Sequence, residues 1–481
     1  MNFFYNTSDF FKKKLLGKIK PLVPDFSLSA PDFRKIKSFG FFGLGKSNIA
    51  VLDYIKRSFP NAAVTIRDDK GGACVTTQDF NKHYFGKDAY SQIEEEVLFL
   101  SPSVRRDRHE LIAAAARGVC LYSDAEFFFN FVCPTAFGIT GSDGKSTTTM
   151  LLASILCAAG YPAVPCGNFG TPFCSLIGEC VLPIAELSSF QLAYLSPRLD
   201  TAIITNITEN HLDWHKSFEE YVGIKLSVFS NASRAVIDAD CHVLASYSPS
   251  RELFSAVSTK SKYSNLCKRL LAKYIITVEN SHICLNGMPI VSNNIFDGFS
   301  DYNVKNSLLA FAASLEYVSI EHMLAAIRGF SPLPHRSTLV ADNGGIRYIN
   351  SSIDTTPERT AATIKSIEGD TVVILCGRSK GASLEPLLRA LLSGTVGAVV
   401  FGDIKEAIVL AVAADPRFKK YRLETAKSFA DAIPTAVEIL GRGGTVLLSP
   451  SATSFDFYSG FEQRGEDFAA AVMRYIAASS V

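Results

Sequence analysis

At 481 residues the chain is too long for one ordinary hydrophobic core and implies about three domains. Hydrophobic side chains make up 47% and charged ones 20%, a globular balance, and 48 Lys and Arg against 47 Asp and Glu exclude a strongly basic nucleic-acid footprint. No apolar run reaches the roughly 20 residues that span a bilayer, and the eleven cysteines, none in a Cys-x-x-Cys pair, read as reduced thiols of a cytoplasmic protein.

Residues 1–36 read as an N-terminal extension. Phe10, Phe11, Leu15, Leu16 and Ile19 beside Lys12-Lys13-Lys14 also suit a short membrane-surface helix, the less favoured reading. No signal-peptide h-region with a cleavage site is present. Ser38-Phe39-Gly40-Phe41-Phe42 then predicts a buried strand, followed by Gly43-Leu44-Gly45-Lys46-Ser47 and a helical pattern through Ile49, Leu52 and Ile55. Strands follow at residues 63–66, just before Asp68, and at 97–100. A new unit opens near residue 131 with a strand at 135–140, a glycine-rich turn and a helix from Ser146 to about Ala159. Further strands fall at 183–185 and 201–205, and residues 236–300 show no clear period. Helices are expected at 303–317 and 320–330.

Pro332, Pro334 and His335 mark a hinge, and Asp342-Asn343-Gly344-Gly345 is a hairpin turn between two strands. Strands at 371–375, 398–401 and 445–448 alternate with helical stretches after it. Strand–helix alternation of this kind means parallel α/β sheets. The expected domains are 1–130 (with 1–36 as extension), 131–332 and 333–481.

Gly141-Ser142-Asp143-Gly144-Lys145-Ser146-Thr147 follows a strand and opens a helix. Glycines let backbone N–H groups curl around phosphate, and the helix N-terminus adds partial positive charge. Lys145 is placed for the β- and γ-phosphates and Ser146 for Mg²⁺. The full P-loop pattern wants glycine where this chain has Ile139, so the loop is a shorter variant. Glu186 ends a strand, where a carboxylate is placed to hold Mg²⁺ opposite Ser146, although a lone glutamate there is more often a surface or capping group. His211 lies just past the next strand. Lys225 stands in a helical stretch, and nothing in its spacing marks it out. The cluster at residues 43–47 alone suits a dinucleotide, a sugar nucleotide or no ligand.

Taken in order, these segments resemble the muramyl (Mur) ligase family of peptidoglycan synthesis. The shared motifs are the Thr140-to-Thr148 loop, Glu186 to Gln191, Asn206 to Asp213 and Pro334-His335-Arg336. The most member-specific stretch runs from Leu448-Ser449-Pro450 through Ser454-Phe455-Asp456-Phe457 to Phe461-Glu462-Gln463-Arg464-Gly465. It points to the members that add D-glutamate to UDP-N-acetylmuramoyl-L-alanine, and no Asp-Asn-Pro-Arg motif of the diamino-acid-adding member is present.

The resemblance implies an α/β fold of three domains: Rossmann-like, a central P-loop-type ATPase with a mostly parallel sheet, and Rossmann-like again. It implies ATP and Mg²⁺, an acyl-phosphate intermediate, small-molecule substrates and a monomer. Gly141 to Thr147 would bind ATP, with Asn303 and Asn306 at the adenine and Arg336 at the hinge. Ser146 and Glu186 would hold one metal. His211 and Lys225, which matches a lysine that the family carbamylates, would serve a second, and Lys145, His211 and Lys225 would be catalytic. Gly43, Leu44, Gly45, Lys46, Ser47 and Asp68 match the UDP site, and Asn168 and Ser188 touch the muramyl group. Thr355, Lys380, Ser454 and Phe461 match the glutamate pocket.

One stretch departs from the pattern. Where many members read Asn-Asp-Ser-Lys, this chain has Asn350-Ser351-Ser352-Ile353, lacking an acid and a lysine used at the nucleotide and glutamate sites. Asp354 is expected to point to the other face of an extended segment. Rival readings are the same ligase using L-glutamate, a folylpolyglutamate-type ligase with another acceptor, a nicotinamide oxidoreductase and a silent nucleotide-binding protein.

Overall fold

The computed structural model describes residues 12–26, 32–68, 81–132, 134–211, 214–245, 254–296, 299, 301–330, 334–378 and 383–479. They fall into two compact units, Met1–Phe330 and Ser331–Val481, with two sheets in the first and one in the second.

The first sheet holds β1 (Ser38–Phe42), β2 (Ala63–Asp68), β3 (Lys82–Phe85), β4 (Val97–Leu100) and β5 (Cys120–Tyr122). Their order is β3-β2-β1-β4-β5, every pair parallel. The second sheet has nine strands. β6 (Phe137–Thr140), β7 (Ala163–Gly167), β8 (Leu182–Glu186), β9 (Leu199–Ile204), β10 (Ala232–Asp238), β11 (Phe254–Ser258) and β12 (Tyr274–Glu279) pair in parallel. β13 (His282–Leu285) and β14 (Met288–Ser292) add an antiparallel edge, giving the order β14-β13-β12-β11-β10-β9-β6-β8-β7.

Strands covered on both faces read as near-continuous apolar runs, because successive side chains enter opposite cores. Thus Ile203 and Val236 join the core beneath the Lys145–Ala158 and Asp301–Ser314 helices. Their neighbours Ala202, Ile204, Ala235 and Ile237 join the core on the other face.

In the second unit β15 (Thr338–Asn343) and β16 (Ile346–Asn350) form the expected hairpin. β16 continues in parallel through β20 (Gly444–Ser451), β17 (Thr371–Cys376), β18 (Gly397–Val400) and β19 (Arg422–Thr425).

Two features differ from the sequence reading. Residues 236–300 hold the end of β10 and all of β11 to β14. Asn286-Gly287 between β13 and β14 was a legible hairpin signal. The N-terminal segment, grouped by sequence with the first domain, packs on the second sheet: Leu15 and Leu22 lie in its two cores. Lys18 reaches Asp200 at 3.4 Å, and the Leu22 N–H donates to the Glu179 carbonyl at 2.9 Å. Pro332 and Lys380 lie outside the described residues.

Candidate active site

The phosphate loop leaves β6 in mid-sheet, between β8 and β9, so the carboxyl ends of three strands converge there. Its geometry depends on glycine. Gly141 has φ 150°, and a Cβ there would overlap the Thr205 hydroxyl; Gly144 has φ 79°, and a Cβ there would overlap the Asn306 side chain. The loop is held from the β9 side. Asn206 Oδ1 accepts the Asp143 N–H at 2.9 Å, and the Thr205 hydroxyl donates to the Asp143 carbonyl. Ser142 Oγ donates to the Thr208 carbonyl at 2.9 Å and lies 2.8 Å from the Tyr221 hydroxyl. Gly144 caps the Lys145–Ala158 helix without a side-chain hydrogen bond, and the helix N-terminus brings its partial positive charge to the loop. Ser146 and Thr147 are buried in that first turn.

Two lysines meet at this loop. Lys145 Nζ donates to the carbonyls of Gly141 and Ser142 at 2.9 and 2.8 Å. Lys225 Nζ, buried at the end of the Phe218–Leu226 helix, donates to the same Gly141 carbonyl at 2.9 Å and to Thr140 Oγ1 at 3.3 Å. Burial, and then the charge of Lys145, hold the Lys225 ammonium well below the usual lysine range, against the opposing pull of Asp143 and Glu186. A lysine in that state spends more of its time as a neutral amine, the form able to add CO₂.

Glu186 ends β8 and is buried. Its Oε1 accepts from Asn168 Nδ2 at 2.7 Å, while Oε2 has no hydrogen-bond partner. A buried carboxylate oxygen without a donor is costly unless a cation completes it. A hard carboxylate oxygen of this kind suits Mg²⁺. No group of three or more His, Cys, Asp or Glu poised for a metal occurs among the described residues. Ser188 caps the short helix that follows in a reciprocal pair with Gln191. His211 takes φ 55°, and its ring lies 4.9 Å from that of Phe190. Asn306 is buried against Gly144, with Asn303 one turn earlier in the same helix.

The first sheet presents a second helix N-terminus. Gly43-Leu44-Gly45 leads from β1 into the Lys46–Ser58 helix, again without a side-chain cap, and Ser47 sits in its first turn. Buried Asn48 bolts the turn down, donating to the carbonyls of Phe42 and Gly43 at 3.1 and 2.7 Å. Asp68 ends β2, the neighbour of β1.

In the second unit the segments carrying Ser454 and Phe461 converge on the buried Arg464. Its Nε donates to Ser352 Oγ at 3.0 Å, Nη2 to the Ser352 carbonyl at 2.8 Å and Nη1 to the Ala452 carbonyl at 3.0 Å. Ser352 Oγ in turn donates to the Phe461 carbonyl at 2.8 Å. Thr355 follows Asp354, whose buried carboxylate accepts from Ser449 Oγ at 2.8 Å. The segment is a turn rather than the extended stretch expected, with the Asp354 N–H donating to the Ser351 carbonyl at 3.0 Å. Arg336, Thr355, Ser454 and Phe461 all belong to this unit, and the phosphate loop to the other.

Residues 139–314 match the family model described as the Mur ligase middle domain. The chain is 31% identical over 454 residues to a UDP-N-acetylmuramoylalanine–D-glutamate ligase of Clostridium botulinum strain Okra, spanning 91% of this chain and 96% of that one. A ligase of the same name from Clostridium perfringens strain 13 is 30% identical over 459 residues, with the same coverage. The chain belongs to the Mur ligase family. Solved structures agree on the fold. The UDP-N-acetylmuramate-alanine ligase of Thermotoga maritima superposes with a TM-score of 0.56 at 17% identity, covering 92% of this chain and 99% of that one. A pseudomurein peptide ligase type C of Methanothermus fervidus gives 0.53 at 16%, covering 86% and 96%.

Several residues that shape this Mur ligase's site carried no assigned role from sequence. Asn206 stood in a recognised motif just past a strand, which was a usable signal. Asn48, Tyr221 and the buried Arg67–Glu95 pair of the first sheet gave none.

Proposed function

We propose that this Mur ligase joins the amine of D-glutamate to the L-alanyl carboxylate of UDP-N-acetylmuramoyl-L-alanine, with ATP cleaved to ADP and phosphate, in peptidoglycan precursor synthesis. The observation that carries the reading is the phosphate loop with Lys145 and Lys225 on one carbonyl and the unpartnered oxygen of Glu186 beside it. Similarity to D-glutamate ligases along nine-tenths of the chain supports the substrates.

A carboxylate is a poor electrophile, so it must first be activated. Its oxygen attacks the γ-phosphorus, the bond to ADP breaks, and an acyl phosphate forms. The glutamate amine then attacks the carbonyl carbon, loses a proton, and phosphate departs with the C–O bond electrons. The first-turn N–H groups and Lys145 bind the phosphates and offset the charge on the transferring group. Ser146 and Glu186 are the residues that would hold Mg²⁺, with His211 and a carbamylated Lys225 at a second ion, and such ions supply charge neutralisation and orientation. Asn303, Asn306 and Arg336 serve the ATP base and hinge. Gly43, Leu44, Gly45, Lys46, Ser47 and Asp68 serve the UDP group, and Asn168 and Ser188 the muramyl group. Thr355, Lys380, Ser454 and Phe461 serve glutamate.

The domain reading is 1–130, 131–332 and 333–481. The reading includes a cytoplasmic monomer. No described helix is long and apolar enough to cross a membrane.

The test is isotopic. With ¹⁸O in the L-alanyl carboxylate, one labelled oxygen per turnover appears in the released phosphate. Phosphate without label would rule out the acyl-phosphate route.

A further inference from the structure

Two side chains outside every assignment above tie the first sheet to the His211 turn. The loop after β4, residues 101–107, borders the Gly43 turn. The Ser101 N–H donates to the Phe42 carbonyl at 2.9 Å, and Ser101 Cβ lies 3.1 Å from where a Cβ on Gly43 would stand. The same loop reaches the central domain. Trp214 Nε1 donates to the Ser103 carbonyl at 3.2 Å, Arg105 Nη1 donates to the Trp214 carbonyl, and the guanidinium stands 5.5 Å from the indole centroid. Asp107 accepts from Arg105 Nε at 3.0 Å and so aims the fork. On its other side Trp214 meets the His211 turn: its backbone N–H donates to the His211 carbonyl at 3.0 Å. Its ring lies 5.0 Å from that of Phe190, which also faces His211. His211 keeps a left-handed φ of 55°, a conformation that persists in a non-glycine residue when its surroundings enforce it.

We propose that Arg105 and Trp214 are positioning residues: they fix the turn carrying His211 against the loop that borders the sugar-nucleotide site. The placement of His211 then depends on the sugar-nucleotide domain. The inference rests on His211 being an active-site residue, and its contacts differ from those of a simple surface latch. Both residues bridge the two domains, and the Trp214 indole packs on Phe190, the ring that faces His211.

The test compares Trp214→Ala, Trp214→Phe, Arg105→Ala, the Arg105→Ala/Trp214→Ala double variant and His211→Ala in the full chain. It reads kcat, KM for ATP, Mg²⁺ half-saturation and melting temperature. Trp214→Ala and Arg105→Ala are expected to lower kcat about tenfold or more and to raise the Mg²⁺ half-saturation several-fold, with KM for ATP within about twofold. The double variant is expected to be little worse than the poorer single one, because both act through one turn. Trp214→Phe, which keeps an aromatic ring against Phe190 but loses the indole N–H to Ser103, should recover part of kcat. Wild-type kcat and Mg²⁺ dependence in both single variants, with His211→Ala impaired, would overturn the proposal. So would a fall in melting temperature with unchanged kcat per folded enzyme. A fully active His211→Ala would remove the reading on which it stands.

Discussion

At the phosphate loop two ammonium groups share the carbonyl of Gly141, and only one of them needs to remain charged for phosphate to bind. Lys225 is the one that burial disfavours as a cation. Lys225→Arg keeps a cation that does not lose its proton at neutral pH. It is therefore expected to lower ATP-dependent phosphate release per folded enzyme at least about 100-fold. Near-wild-type turnover in a steady-state assay would show that no neutral amine is needed there.

Asp124 gives a second prediction at this scale. Fully buried in the first sheet's domain, its carboxyl is pushed up to about 6, first by burial, while the Ala125 N–H and the Ser47 hydroxyl pull it back. A raised carboxyl pKa in the fold contributes stability below the unfolded value of about 3.9, and that contribution is lost as pH rises through 6. At pH 7.5 the wild type thus carries an unfavourable buried charge. Asp124→Asn should be the more stable protein there, by at most about 3 kcal/mol, with the advantage shrinking toward pH 5. Urea melts at the two pH values check this, and an equal gap at both would contradict it.

Among the elements, the strand–loop–helix around Lys145 was the most legible in sequence, because an apolar run, glycines and a following helical period each have a local cause. Gly144→Ala tests that geometry. With a left-handed φ and the Asn306 side chain where the methyl would go, it should destabilise by about 1–3 kcal/mol and abolish ATP binding, read by melts and calorimetry. Of the loop's partners, Asn206 lay in a recognised motif, whereas Tyr221 was not legible, since it meets Ser142 from a distant part of the chain. Strands β13 and β14 were obscured for a different reason: they are an antiparallel edge of only four and five residues, too short to show a period. The N-terminal segment shows the same limit. Leu15 among lysines signals an apolar contact without saying which surface receives it. Leu15→Ala should cost about 2–4 kcal/mol in a urea melt if the contact with the second sheet's core matters. A change under about 0.5 kcal/mol would mean the segment is only laid on the surface.

At the scale of the molecule, the α/β class and the three sheets follow from strand–helix alternation, and the family from motifs spread over nearly the whole chain. The amino-acid end was the least legible. Ser351 and Ile353 replace an acid and a lysine, and the buried Asp354 is committed to Ser449. What sequence did not show is that Arg464 braces Ser352 to the segments bearing Ser454 and Phe461, a fixed frame under the proposed amino-acid pocket. Such a frame fits one stereoisomer better than its mirror image, because a site that bonds one arrangement of amine and carboxylates leaves groups unpaired with the other.

The most direct measurement is phosphate release from ATP with UDP-N-acetylmuramoyl-L-alanine, comparing D-glutamate, L-glutamate and no amino acid. The account predicts release that requires both the UDP-sugar and D-glutamate. Equal or greater release with L-glutamate, or none with either, would contradict it.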